Sequence, residues 1–231
     1  RIDFSLESLE GPDLEAFLSH LDLAALRPHL QAASAPRAGQ RLLETLRLLD
    51  QNRRLVILRI EDRETHGLTG AEDSTDSHFR ALCKDTLFSH KRSASAGGSF
   101  GLGKSVLWAF SGLSTVVFNS VPRECPPGFK APRFIARTEL SSHDIAGREF
   151  SGSGWFGERI SRVSGERAES LWGLTAATVA RELRLPRERT DSGTSILVIG
   201  FREPAADTEE SVEQVERRIL LAANSWFWPA M

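Results

Sequence analysis

The strand signals of this chain are not each separated by one helix. Apolar runs at residues 55–60, 114–120, 133–140 and 194–201 read as strands, and helical patterns mix with them irregularly. That order argues against a regular βαβ array. It predicts an α+β fold, a two-layer sandwich in which a mixed, mostly antiparallel sheet carries helices on one face. Residues 1–8 alternate polar and apolar and read as an amphipathic strand. Helices are predicted over 12–22, with Asp13 as N-cap, over 40–51, with Leu42, Leu43, Leu46 and Leu49 on one side, and over 79–88, 105–111, 168–184 and 209–224. Residues 32–39, 63–78 and 90–104 read as loops and 151–157 as a turn. The whole of 1–231 is expected to form one domain. The chain opens on Arg1 in mid-strand, which reads as a fragment.

Composition excludes little. The formal net charge is -2, so nothing global points to nucleic acid or a membrane surface. Cys83 and Cys125 are the only cysteines, too few for a disulfide framework, and they suit a reducing, cytoplasmic setting. No apolar run reaches the roughly 18 residues of a membrane span, and no signal peptide is visible.

Three segments carry chemistry. In LVILRIEDRETHGLTG, residues 55–70, a buried strand delivers the carboxylate of Asp62 at its end, with Gly67, Thr69 and Gly70 in the loop that follows. A carboxylate fixed there can accept from the exocyclic amine of adenine, although Asp after a strand also commonly caps a turn. In GGSFGLGKS, residues 97–105, the glycines Gly97, Gly98, Gly101 and Gly103 can align backbone N–H groups as an anion nest. Phe100, Leu102, Lys104 and Ser105 complete the segment, Lys104 to neutralise phosphate and Ser105 to open a helix whose dipole favours an anion. In TDSGTS, residues 190–195, Gly193 and Thr194 open a strand, and the Thr194 hydroxyl can bridge a carboxylate and a base edge. As a plain structural feature, the same segment is a turn entering a strand.

The order of these three segments resembles the Bergerat nucleotide fold of the gyrase/heat-shock chaperone/histidine kinase/MutL superfamily, and within it a bacterial subgroup related to MutL and the microrchidia ATPases, found near restriction or phage-defence genes. GWFG at 154–157 and FWPA at 227–230 add to the resemblance, which covers essentially the whole chain. The resemblance implies that Asp62 binds adenine, Gly67 shapes the base pocket, Gly98, Gly101, Gly103 and Lys104 cradle phosphate, and Thr194 supports Asp62. It implies ATP and Mg²⁺ as cofactors, a nucleotide-driven switch or clamp, a homodimer on ATP binding, and DNA or a defence-system protein as partner. The family's water-activating Glu and Mg²⁺-holding Asn lie on an earlier helix, expected upstream of Arg1, so the catalytic residues and metal ligand are unknown. Glu64 also stands where the family has its first glycine.

Two rival readings remain. Gly98, Gly103, Lys104 and Ser105 satisfy the P-loop pattern G-x-x-x-x-G-K-[ST], but polar residues precede them instead of a buried strand. A module that binds nucleotide or protein without hydrolysis is the other. His66 sits in the nucleotide loop, whereas the remaining five histidines show no ligand spacing. Trp226, Phe227 and Trp228 read as packing onto a following domain or subunit.

Overall fold

The computed structural model describes residues 1–34, 39–85, 102–162, 165–203 and 211–227. Its elements are β1 (Ile2–Glu10), α1 (Gly11–His20), α2 (Leu23–Ala33), α3 (Gln40–Asn52), β2 (Arg54–Asp62), α4 (Ser105–Ala109), β3 (Thr115–Val121), β4 (Arg133–Glu139), β5 (His143–Ile145), β6 (Arg148–Phe150), β7 (Ser153–Phe156), β8 (Glu158–Arg162), β9 (Gly165–Glu169), β10 (Leu171–Trp172), α5 (Gly173–Glu182), β11 (Gly193–Ile199) and α6 (Val212–Phe227).

The main sheet runs β1-β2-β11-β3-β4-β10, with β7 also on β4, and every pair in it is antiparallel. The expected α+β class, with a mostly antiparallel sheet and helices on one side, is therefore the observed one. Side chains alternate across a sheet, so the register sorts residues onto two faces. Leu9, Leu55, Ile57, Leu197, Ile199, Val117, Phe134 and Ala136 share one face and pack under α1, α2, α3 and α5 in the larger core. Phe17 and Leu14 of α1, Leu30 of α2, Leu46 and Leu49 of α3 and Ala176 and Ala180 of α5 meet them there. Truncating any of the larger of these to alanine would cost about 2–5 kcal/mol through lost burial and the void left behind.

The opposite face carries Ile196, Val116, Phe118 and Ile135. Leu68, Phe79 and Cys83, from the stretch after β2, and Leu107 and Trp108 of α4 cover it in a smaller second core. Burial in that core pushes the Cys83 thiol up to about 12, so it stays protonated and inert.

Several local expectations are corrected. Asp13 is not the N-cap: Glu10 holds that position, and Asp13 falls in the first turn behind Pro12. Residues 23–33, with no predicted helix, form α2, capped by the Asp22 carboxylate accepting from Ala25 N at 3.3 Å. Its apolar spacing at Leu23, Leu30 and Ala33 outweighs the interruption by Pro28. The segment 79–88 shrinks to a π-helical turn, Arg80–Lys84, among the described residues. The supposed turn at 151–157 contains β7, paired with β4. The helix predicted from 168 starts only at Gly173, because β9 and β10 occupy the preceding residues.

Candidate nucleotide site

Asp62 ends β2 on the face opposite the helices, and Thr194 lies beside it at the start of β11. Asp62 Oδ1 accepts from the main-chain N–H of Thr194 at 2.7 Å and from Thr65 Oγ1 at 2.7 Å. Among the described residues nothing donates to Oδ2. The support expected from Thr194 thus comes from its backbone. Its hydroxyl turns instead to Ser120 Oγ, at 3.3 Å. Gly193 makes this possible: its φ is +144, and a Cβ there would overlap the Asp62 carboxylate and the Arg187 guanidinium.

The loop after Asp62 folds back over the sheet. Ser120 Oγ donates to Gly193 O at 2.7 Å and accepts from Leu68 N at 2.8 Å, which ties that loop to β3 and β11. Gly67, at φ +65, lies so near β3 that a Cβ would stand 2.8 Å from Ser120 Oγ and from Val121 O. Thr69 Oγ1 meets His78 Nδ1 at 3.0 Å, and its carbonyl accepts from Phe79 N, so Thr69 braces the same loop. His66 is exposed.

Arg187 fixes the turn from outside, and nothing in the sequence singled it out. Its side chain is 1% exposed. It donates to the carbonyls of Asp62, Asp191 and Ser192, to Asp191 Oδ1, and to Ser195 Oγ. Burial lowers its pKa, opposed by the carboxylates of Asp191, Asp62 and Glu61. Thr65, three residues after Asp62, is the one further contact that spacing could have revealed, since its hydroxyl lies close enough along the chain to donate to the carboxylate.

Lys104 lies on this same face. Its Nζ donates to the carbonyls of Ala81 and Asp85 at the end of the π-helical turn. Free carbonyls at a helix end favour such a cation. Burial, aided by the nearby Arg137, lowers the Lys104 pKa. Arg137 donates to the next carbonyls, Cys83 O at 2.9 Å and Lys84 O at 2.7 Å, and lies over Trp108 and Trp155. Ser105 starts α4 and is exposed, and a Cβ on Gly103 would meet nothing within 4 Å. Gly97, Gly98, Phe100 and Gly101 lie outside the described residues, as does the side chain of Leu102.

Between these ends runs an apolar row: Phe4, Ile60, Ile196, Phe118 and Ile135 are register partners across five strands. Phe118 and Ile135 are buried, Ile60 and Ile196 half-buried, and Phe4 is 53% exposed. The row is therefore open where it passes Asp62. Three strand spacings, about 14 Å, separate β2 from β4, and toward β4 the row is covered by Leu68, Phe79, Leu107 and Trp108.

Beneath the loop, Arg133 is buried and donates to Glu72 Oε1 at 2.8 Å, Gly70 O at 2.7 Å and Ser170 Oγ at 2.8 Å, with its guanidinium 3.3 Å from the Phe79 ring centre. It is a structural post for the loop; burial lowers its pKa and Glu72 opposes that. Glu44, on α3, pairs with Arg202 at 3.0 Å and so serves packing. Among the described residues no group of three or more His, Cys, Asp or Glu side chains is arranged to hold a metal ion. None of their helices is long and apolar enough to cross a membrane. No family model, curated protein or solved structure matches the chain.

Proposed function

We propose that this chain is the nucleotide-binding domain of an ATP-driven conformational switch of the gyrase/heat-shock chaperone/histidine kinase/MutL type. The observation that carries the reading is the Asp62 carboxylate. Thr194 N and Thr65 hold one of its oxygens, and the other is left to accept, beside the half-buried end of an apolar row and on the face that also bears Lys104. In this reading Asp62 Oδ2 accepts from the adenine amine, while Ile60 and Ile196 face the ring. The phosphates draw Lys104 away from the Ala81 and Asp85 carbonyls. Exchange of that one cation between a helix end and a phosphate couples occupancy to the turn at Arg80–Lys84, a local electrostatic event with a wider readout.

Bound Mg²⁺ would shield the phosphate charge; the described residues offer it no ligand set, and no step is assigned through it. No residue of this chain is assigned to hydrolysis. A homodimer closed by ATP, acting in the cytoplasm on DNA or a defence-system protein, is the setting this reading implies. The antiparallel sheet supports it over a P-loop enzyme, in which the Gly-Lys-Ser loop joins a strand to the crossover helix of a parallel sheet.

Calorimetric titration with the β,γ-imido analogues of ATP and GTP tests the proposal. Saturable binding of the adenine analogue is expected, with the guanine analogue at least tenfold weaker, since guanine offers a carbonyl where adenine has its amine. Lys104→Ala should weaken the triphosphate and leave adenosine unchanged. Equal affinity for both bases, or no binding of either, overturns the reading.

A further inference from the structure

A second hollow lies on the helix-bearing face, away from Asp62. It has a volume of about 330 Å³ and sits between α2, the β5–β6 hairpin and β7. That size is within the range of sites for small organic ligands. Leu26, Leu140, Phe150 and Phe156 give it an apolar, partly aromatic wall, and His29, Thr115 and Thr138 are its inner polar groups.

The hydrogen bonds fix what those polar groups can offer. His143 Nδ1 lies 2.8 Å from the Ser141 carbonyl, which can only accept, so the His143 proton is on Nδ1. Its Nε2 is then a lone pair, 2.9 Å from His29 Nδ1, so His29 carries its proton on Nδ1 and donates it. His29 Nε2 is left as a bare acceptor, with no partner among the described residues. Burial, with His143 and Arg148, lowers the His29 pKa and keeps that acceptor neutral. Thr138 reaches the same condition by another route. Thr115 Oγ1 donates to Leu113 O at 2.8 Å, so in the 2.9 Å contact between the two threonines Thr138 is the donor. Its remaining hydrogen-bonding capacity is acceptance. At the rim, the Asp22 carboxylate is another acceptor. A partly aromatic cavity whose inner polar groups only accept selects against ligands that bring only acceptors.

We propose that this cavity binds a small, uncharged aromatic molecule carrying an N–H or O–H donor, which it gives to His29 Nε2. The site is independent of the nucleotide reading and stands on the other face of the sheet.

Indole and 1-methylindole, which differ in the N–H, are the probes, followed by ¹H–¹⁵N NMR on the whole chain. Indole should shift the amides of Ala136, Thr138 and Gly154 saturably. 1-Methylindole should bind roughly fivefold more weakly, the worth of one neutral hydrogen bond. His29→Phe should make the two probes bind alike. Gly154→Leu should abolish the shifts, because a Cβ at Gly154 has room, 3.7 Å from Thr138 Cβ, and the longer side chain fills the hollow. The proposal is overturned by the absence of saturable shifts in the unmodified protein, by equal affinity for the two probes, or by shifts that persist in Gly154→Leu.

Discussion

Thr194 donates its main-chain N–H to Asp62 Oδ1 across 2.7 Å, and so joins two segments more than a hundred residues apart in sequence into one carboxylate site. The approach depends on the residue before it. Gly193→Ala would place a methyl group against Asp62 and Arg187 at a φ of +144. A loss of about 2–3 kcal/mol in urea unfolding is expected. Gly103→Ala, with open space at Cβ and no positive φ, should change stability by less than about 0.5 kcal/mol. Similar losses in the two variants would contradict this account of Gly193.

Arg187 should matter nearly as much. Removing a buried guanidinium strands the acceptors it serves at Asp62, Asp191, Ser192 and Ser195. Arg187→Met is expected to cost about 3 kcal/mol or more. Arg187→Lys should recover little, because an ammonium cannot span the same fork of partners. Thermal unfolding of both variants checks this, and a fully stable lysine variant would show that the forked geometry is dispensable.

Arg133 and Glu72 form a buried pair at 2.8 Å beneath the loop that follows Asp62. Arg133→Met leaves Glu72 with only Lys84, at 3.8 Å, as a charged partner and should destabilise by about 2–3 kcal/mol. Adding Glu72→Gln should recover part of that loss. Strict additivity in the double-mutant cycle would mean that the two side chains act independently.

The His29–His143 pair gives a pH dependence. Burial holds the folded-state pKa of His29 below its ordinary range, so the folded chain binds fewer protons than the unfolded one as pH falls. The contribution of His29 is fully present above about pH 6.5 and is lost as pH drops toward the folded-state value. Chemical denaturation between pH 7 and pH 5 should show stability falling more steeply in the unmodified protein than in His29→Asn. Parallel slopes would contradict it.

Periodicity made the sheet legible. The apolar runs that become β2, β3, β4 and β11 pair with one another, and an irregular order of elements is what an antiparallel sheet allows. Each of Asp62 and Thr194 borders such a run, but only the family resemblance implied that they are neighbours. The rest depended on long-range contacts that carry no local signal. Arg187 is an ordinary loop arginine until folding sets it against the end of β2. Pro28 concealed α2, and the glycines around β7 read as a turn until its pairing with β4 absorbed them. The N–H of Thr194 could not be anticipated over its hydroxyl, because backbone donors look alike in any sequence.

The central claim is that Asp62 reads the adenine amine. Titration of the imido analogue of ATP into the unmodified protein and into Asp62→Asn tests it most directly. Asparagine can still accept from Thr194 N, but it turns its amide donors toward the base. The account predicts an affinity loss of at least tenfold, with the melting temperature nearly unchanged. Equal affinity in the two proteins, with Lys104→Ala alone abolishing binding, would contradict it and favour the P-loop reading.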